Sequence, residues 1–92
     1  MNCIKFLIFG KVQQVFYRKY VSNNLTKAGF SGYIKNLSNG SVELIIKKDK
    51  DLDISKILNI INQGSPKSEV ESIEMSECLE KIDFNVGVNV IY

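Results

Sequence analysis

Gly10-Lys11-Val12-Gln13-Gln14-Val15-Phe16-Tyr17-Arg18 carries the chain out of one regular element and into the next. Before it, residues 3–9 alternate so that Ile4, Phe6 and Ile8 share one face, with Cys3, Lys5, Leu7 and Phe9 on the other. Both faces are largely apolar, which predicts an interior strand ended by Gly10. After it, Phe16, Tyr20, Val21, Leu25 and Ala28 recur at helical spacing, while Lys19, Ser22, Asn23 and Lys27 fall on the wet side. A helix from Phe16 to Ala28 is expected, stopped by Gly29. The loop therefore leads into a helix N-terminus, where unpaired backbone N–H groups gather and attract anions.

Arg18 stands at that junction. It is the one arginine of a chain whose other cations are eleven lysines. A cation in the first helical turn opposes the helix dipole, at a cost of some tenths of a kcal/mol, and a bound anion reverses the sign. A guanidinium can hold a phosphate by two parallel hydrogen bonds, which an ammonium cannot.

Working outward, Phe30 to Leu37 reads as a second strand, Ser38-Asn39-Gly40 as a tight turn, and Ser41 to Lys48 as a third strand with Val42, Leu44 and Ile46 inward. Asp51 or Asp53 is expected to cap a second helix, whose buried stripe is Ile54, Ile57, Leu58 and Ile61 and which Gly64 and Pro66 close. Glu69 to Ser76 is a fourth strand. Val70 and Ile73 break strict alternation there, so a bulge is expected. Ile82 to Ile91, with Phe84, Val86, Val88 and Val90 alternating, is a last strand. The order is β-α-β-β-α-β, an α+β ferredoxin-like split β-α-β arrangement, with one antiparallel sheet carrying both helices on one face.

Ninety-two residues make a single domain over 1–92, and an apolar fraction of 45% suits a small folded core. The net charge of +2 is close to balance, so composition does not call for nucleic acid. The chain has no histidine, and Cys3 and Cys78 are far apart, which argues against zinc and against an imidazole base. Both thiols are expected to be reduced. The N-terminal apolar stretch is short and broken by Lys5, unlike a signal peptide or membrane span, so a cytoplasmic location is expected.

The stretch from Gly10 to Arg18 resembles the acylphosphatase signature, glycine-x-valine-glutamine-glycine-valine-x-aromatic-arginine. A second block, Gly32-Tyr33-Ile34-Lys35-Asn36-Leu37 with Gly40-Ser41-Val42-Glu43 after the turn, is similar to the family's glycine-aromatic-x-x-asparagine-leucine, turn, glycine-x-valine-glutamate. Residues from Gly64-Ser65-Pro66 to Val70 resemble its segment after the second helix. The resemblance implies hydrolysis of carboxyl-phosphate anhydrides to carboxylate and inorganic phosphate, without metal or cofactor. It also implies a phosphate cradle formed by Gln13, Gln14, Val15, Phe16, Tyr17 and Arg18, with Arg18 binding phosphate oxygens and Asn36 orienting the attacking water. The partners implied are a small acyl phosphate and phosphate, with neither membrane nor nucleic acid, and a monomer is expected.

An acyl phosphate carries a good leaving group, so the task reduces to holding the phosphoryl group, neutralising its charge and aiming a water in line. An amide can accept from and donate to one water without titrating. The chain departs from the signature at Gln14, where the family has glycine. If that position has positive φ, glutamine costs about 1–2 kcal/mol. If the backbone must approach phosphate closely, Gln14 crowds it, or its amide adds a donor.

Plainer readings stand beside these. Arginine is commonly a solvated surface residue, and asparagine near a strand end is commonly a turn or capping residue. Lys11 and Lys35 read as solvated, Phe16 and Tyr17 as packing, and Glu69, Glu71, Glu74, Glu77 and Glu80 as a solvated acidic run. Tyr33 fits either the open sheet face or the site. Two rival functions remain. One is an anion or acyl-phosphate sensor of little activity on the same fold, which Gln14 favours. The other is an RNA-binding ferredoxin-like domain, which wants aromatics on a central strand that Ser41–Lys47 lacks.

Overall fold

The computed structural model describes residues 2–80 and 86–91. Its elements are β1 (Cys3–Lys11), α1 (Tyr17–Lys27), β2 (Gly32–Asn36), β3 (Val42–Lys47), α2 (Ile54–Gln63), β4 (Glu69–Cys78) and β5 (Val88–Ile91). The first six are the split β-α-β pair, and the sheet order is β4-β1-β3-β2-β5. β1 lies between β3 and β4, as its two apolar faces predict. The expectation of a purely antiparallel sheet is corrected, because β5 runs parallel to β2, with Gly32 opposite Val88 and Ile34 opposite Val90. After β4 the chain reaches the opposite edge of the sheet, and it arrives there running in the direction of β2.

The registers explain the core. Phe6 faces Leu44, Ile4 faces Ile46 and Ile8 faces Val42, while Ile34 faces Leu44 from the other side. These residues are buried with Tyr17, Val21 and Leu25 of α1 and Ile57, Ile60 and Ile61 of α2, so both helices cover one face of the sheet. Asp53 caps α2, its Oδ1 accepting from the Lys56 amide at 3.1 Å. Of the expected α2 stripe, Ile57 and Ile61 are buried, Ile54 and Leu58 are half-buried, and Ile60 joins the core.

The stripe on α1 differs from expectation. Phe16 precedes the helix in a left-handed conformation, φ 59°, and the helix begins at Tyr17. That start sets the phase so that Tyr17, Val21 and Leu25 face inward, four residues apart, while Phe16 is 75% and Tyr20 43% exposed. At the other end of the chain, Val86 is exposed and Val88 starts β5. The part of the expected strand on residues 82–85, Phe84 included, lies outside the described residues.

Gly10 does not end β1 but sits at its bulge. Phe9 pairs with Ser72 and Gly10 with Val70, leaving Glu71 as the extra residue on β4, where broken alternation placed it. A Cβ on Gly10 would lie 2.2 Å from the Glu69 carbonyl oxygen, so the crossing requires glycine. Near the far end of the same ladder Cys3 stands opposite Cys78. The two are joined by a disulfide, with Cα atoms 5.0 Å apart, which corrects the expectation of two reduced thiols. Antiparallel pairing brings together residues that are 75 apart in sequence.

Candidate active site

The loop between β1 and α1 is anchored at both ends by apolar side chains. Val12 is buried in the core, and Tyr17 is buried with its hydroxyl donating to the Ile61 carbonyl at 2.7 Å. Burial pushes the Tyr17 phenol well above its ordinary value. Tyr17 is thus a packing residue, as read from sequence, and it ties α1 to α2.

Between these anchors the backbone is held from the side. The Gln13 Nε2 donates to the Leu37 carbonyl at 2.9 Å and to the Ser41 carbonyl at 2.8 Å. The Ser41 carbonyl also accepts from the Leu37 amide, and the Ser41 amide donates to Asn39 Oδ1. Gln13 was expected among the phosphate-holding residues. Its side chain fastens the loop to the β2–β3 turn, the turn that follows Asn36. The spacing of glutamine to that turn carried no sign of this bond, because the partners are main-chain carbonyls.

Gln14 and Phe16 both have positive φ, 60° and 59°. Alternating backbone handedness of this kind turns successive amides toward one side and forms an anion-binding concavity. Among the described residues, the amides of Gln14, Val15, Phe16 and Tyr17 have no hydrogen-bond acceptor. The helix they lead into has no side-chain cap and no acidic residue in its first turn, so its positive end is not compensated locally.

A cavity of about 470 Å³ opens on this concavity, with Gln14, Phe16, Arg18, Lys19, Asn36 and Val90 around it. Arg18 projects from the first turn of α1, and its Nη1 donates to the Ile91 carbonyl at 2.8 Å, against the end of β5. Asn36 comes from the end of β2, opposite Val42. Its Oδ1 is buried and has no hydrogen-bond partner among the described residues. An unpaired buried acceptor costs about 1–3 kcal/mol, so its persistence at the cavity wall points to a ligand or water that donates to it.

The structure thus brings Gln14, Phe16, Tyr17, Arg18 and Asn36 to one cavity. The Val15 side chain packs partly against the core, while its backbone amide stays in the loop. Lys19 and Val90 line the cavity but were read as surface and strand residues, since neither contact is visible in local spacing. Lys35 is not simply solvated. It pairs with Glu43 at 3.5 Å on the open sheet face, where Lys5 approaches the same carboxylate. Tyr33 lies on that face too, opposite Ile45, and its hydroxyl donates to Glu80 Oε1 at 3.1 Å. Glu77 pairs with Lys48, whose bond and charge hold the carboxyl below its ordinary value. The acidic run is therefore partly engaged.

Comparison with known proteins agrees with this geometry. A family model described as acylphosphatase matches residues 4–87. The acylphosphatase of Dehalococcoides mccartyi is 39% identical over 75 residues, covering 80% of this chain and 81% of the relative. That of Helicobacter hepaticus is 38% identical over 90 residues, covering 92% and 88%. The crystal structure of acylphosphatase from Bacillus subtilis superposes with a TM-score of 0.77 over the whole of both chains, at 26% identity. A match across nearly the whole chain, with the loop, the arginine and the asparagine around one cavity, places this chain in the acylphosphatase family.

Proposed function

We propose that the cavity between the β1–α1 loop and the end of β2 hydrolyses acyl phosphates to a carboxylate and inorganic phosphate. In this reading the amides of Gln14 to Tyr17 receive the phosphoryl oxygens, supported by the uncompensated end of α1. Arg18 adds charge-assisted bonds from guanidinium donors, of which it has five. Its bond to the Ile91 carbonyl holds the side chain along the cavity wall. Asn36 Oδ1 accepts a hydrogen bond from water and aims its oxygen at phosphorus.

The water oxygen bonds to phosphorus, the bond from phosphorus to the acyl oxygen breaks, and its electron pair leaves with the carboxylate. The water proton is taken up by a phosphate oxygen. Fixed donors around the phosphoryl oxygens supply most of the stabilisation, each worth about 3–4 kcal/mol when removed. The observation that carries this reading is that Asn36, whose Oδ1 is buried and unpartnered among the described residues, lines the same cavity as the loop with unpaired amides.

A monomer remains the oligomeric state proposed from sequence. One core draws residues from nearly every element, which supports a single domain over 1–92. Among the described residues no helix is long and apolar enough to cross a membrane. The cytoplasm is the compartment proposed from sequence, and the Cys3–Cys78 disulfide counts against it, since cytosolic thiols are kept reduced.

The test is metal-free hydrolysis of an acyl phosphate by the pure protein. Arg18→Lys and Asn36→Ala should each lower kcat by roughly a hundredfold, with Lys56→Ala on the exposed face of α2 as control. Full turnover in both variants would refute the assignment. A second reading, an anion-binding module, is favoured by Gln14 standing in the cavity wall where the family has glycine. Phosphate binding without turnover in the parent would establish it instead.

A further inference from the structure

Two aromatic side chains are left outside the core beside the phosphate cavity. Phe16 is 75% exposed although its backbone has φ 59°, a conformation unfavourable for a bulky residue. Tyr20, one turn further along α1, is 43% exposed. With Lys19 and Asn23 they line a second cavity of about 300 Å³. Phe16 and Lys19 line both cavities, so the second adjoins the first. Neither ring is needed to fill the core, since Tyr17, Val21 and Leu25 supply the buried stripe of α1. Strained backbone conformations collect at ligand sites.

We propose that Phe16 and Tyr20 form a shelf for the acyl group and make the enzyme select acyl phosphates with a flat, apolar acyl group over acetyl phosphate. This rests on the reading of the neighbouring cavity as the phosphate site. The occupant follows from this shared wall. A phosphoryl group held at the loop amides must direct its acyl substituent out past a wall that includes Phe16. Phe16, just ahead of α1, and Tyr20 within it line this one cavity, and exposed aromatic rings suit a planar apolar group. An acetyl group offers a single methyl, too little apolar surface to cover both rings.

The test compares kcat/KM for benzoyl phosphate and acetyl phosphate in the parent, Tyr20→Ala, Tyr20→Phe and Phe16→Ala. The parent should prefer benzoyl phosphate. Tyr20→Ala and Phe16→Ala should each reduce that preference by about five- to tenfold, mainly through KM, and Tyr20→Phe should retain it. The inhibition constant of inorganic phosphate reads the cradle separately and should be the same in Tyr20→Ala as in the parent. No preference in the parent, or an unchanged ratio in both alanine variants, would overturn the shelf while leaving the phosphate site standing. Undiminished turnover of both substrates by Arg18→Lys would overturn the phosphate site itself and the shelf with it.

Discussion

The Nε2 of Gln13 donates to the main-chain carbonyl of Leu37 at 2.9 Å, joining the β1–α1 loop to the residue that follows Asn36. The same nitrogen reaches the Ser41 carbonyl. One amide group thereby sets the distance between the two halves of the site, the loop that presents N–H groups and the strand end that presents Asn36.

Gln13→Ala should accordingly affect both stability and activity. It removes two partly buried hydrogen bonds, worth about 0.5–1.5 kcal/mol each, so unfolding by urea should show a loss of about 1–3 kcal/mol. Because the loop is then free to shift against Asn36, kcat for an acyl phosphate should fall by roughly tenfold or more. A variant of lowered stability but unchanged kcat would show that the tether does not position the site.

Gln14→Gly should stabilise the protein. Relief of the left-handed backbone at φ 60° returns about 1–2 kcal/mol, partly offset by about 0.5–1 kcal/mol for the greater freedom of glycine in the unfolded chain. A net gain of some tenths to about 1 kcal/mol is expected in the denaturation midpoint. Phosphate affinity, measured by competitive inhibition, should be at least that of the parent. A clear loss of affinity would mean that the Gln14 side-chain amide itself binds the anion.

The Cys3–Cys78 disulfide closes a loop of 75 residues between β1 and the edge strand β4. Cross-links over loops of this size contribute about 2–4 kcal/mol, chiefly by restricting the unfolded chain. Reductant or Cys78→Ser should lower Tm by on the order of 10 °C or more. Identical melting curves with and without reductant, once thiol titration confirms that the bond was cleaved, would refute this contribution.

Tyr33 is pushed up to about 12, first by burial on the open sheet face and then by the hydrogen bond and charge of Glu80. The folded protein keeps a proton that the unfolded chain releases near the phenol's ordinary value of 10.0. The associated stability is therefore complete below pH 10.0 and declines as pH rises towards about 12. Glu80→Gln should lower the Tyr33 midpoint, followed by phenolate absorbance with Tyr33→Phe to assign the signal. An unchanged midpoint would leave burial and the Glu43 charge as the causes.

The sequence by itself determined the succession of elements, the two motifs and therefore the family. Alternation in residues 3–9, the Asn39-Gly40 turn and the Asp53 cap are local devices, written in neighbouring residues and present in the structure where they were read. Even the bulge at Glu71 showed as a break in alternation. What the tertiary structure alone decided are relations between distant residues. The parallel docking of β5 brings Ile91 to Arg18, strand pairing joins Cys3 to Cys78, and the Gln13 bonds fasten the loop to the β2–β3 turn. The left-handed turn at Phe16 likewise set the phase of α1, leaving Phe16 and Tyr20 outside the core. The physical reason is one of range. Propensity and periodicity act over a few residues, whereas main-chain carbonyls and strand partners become neighbours only once the sheet has closed, and no side-chain pattern along the chain records which of them will meet.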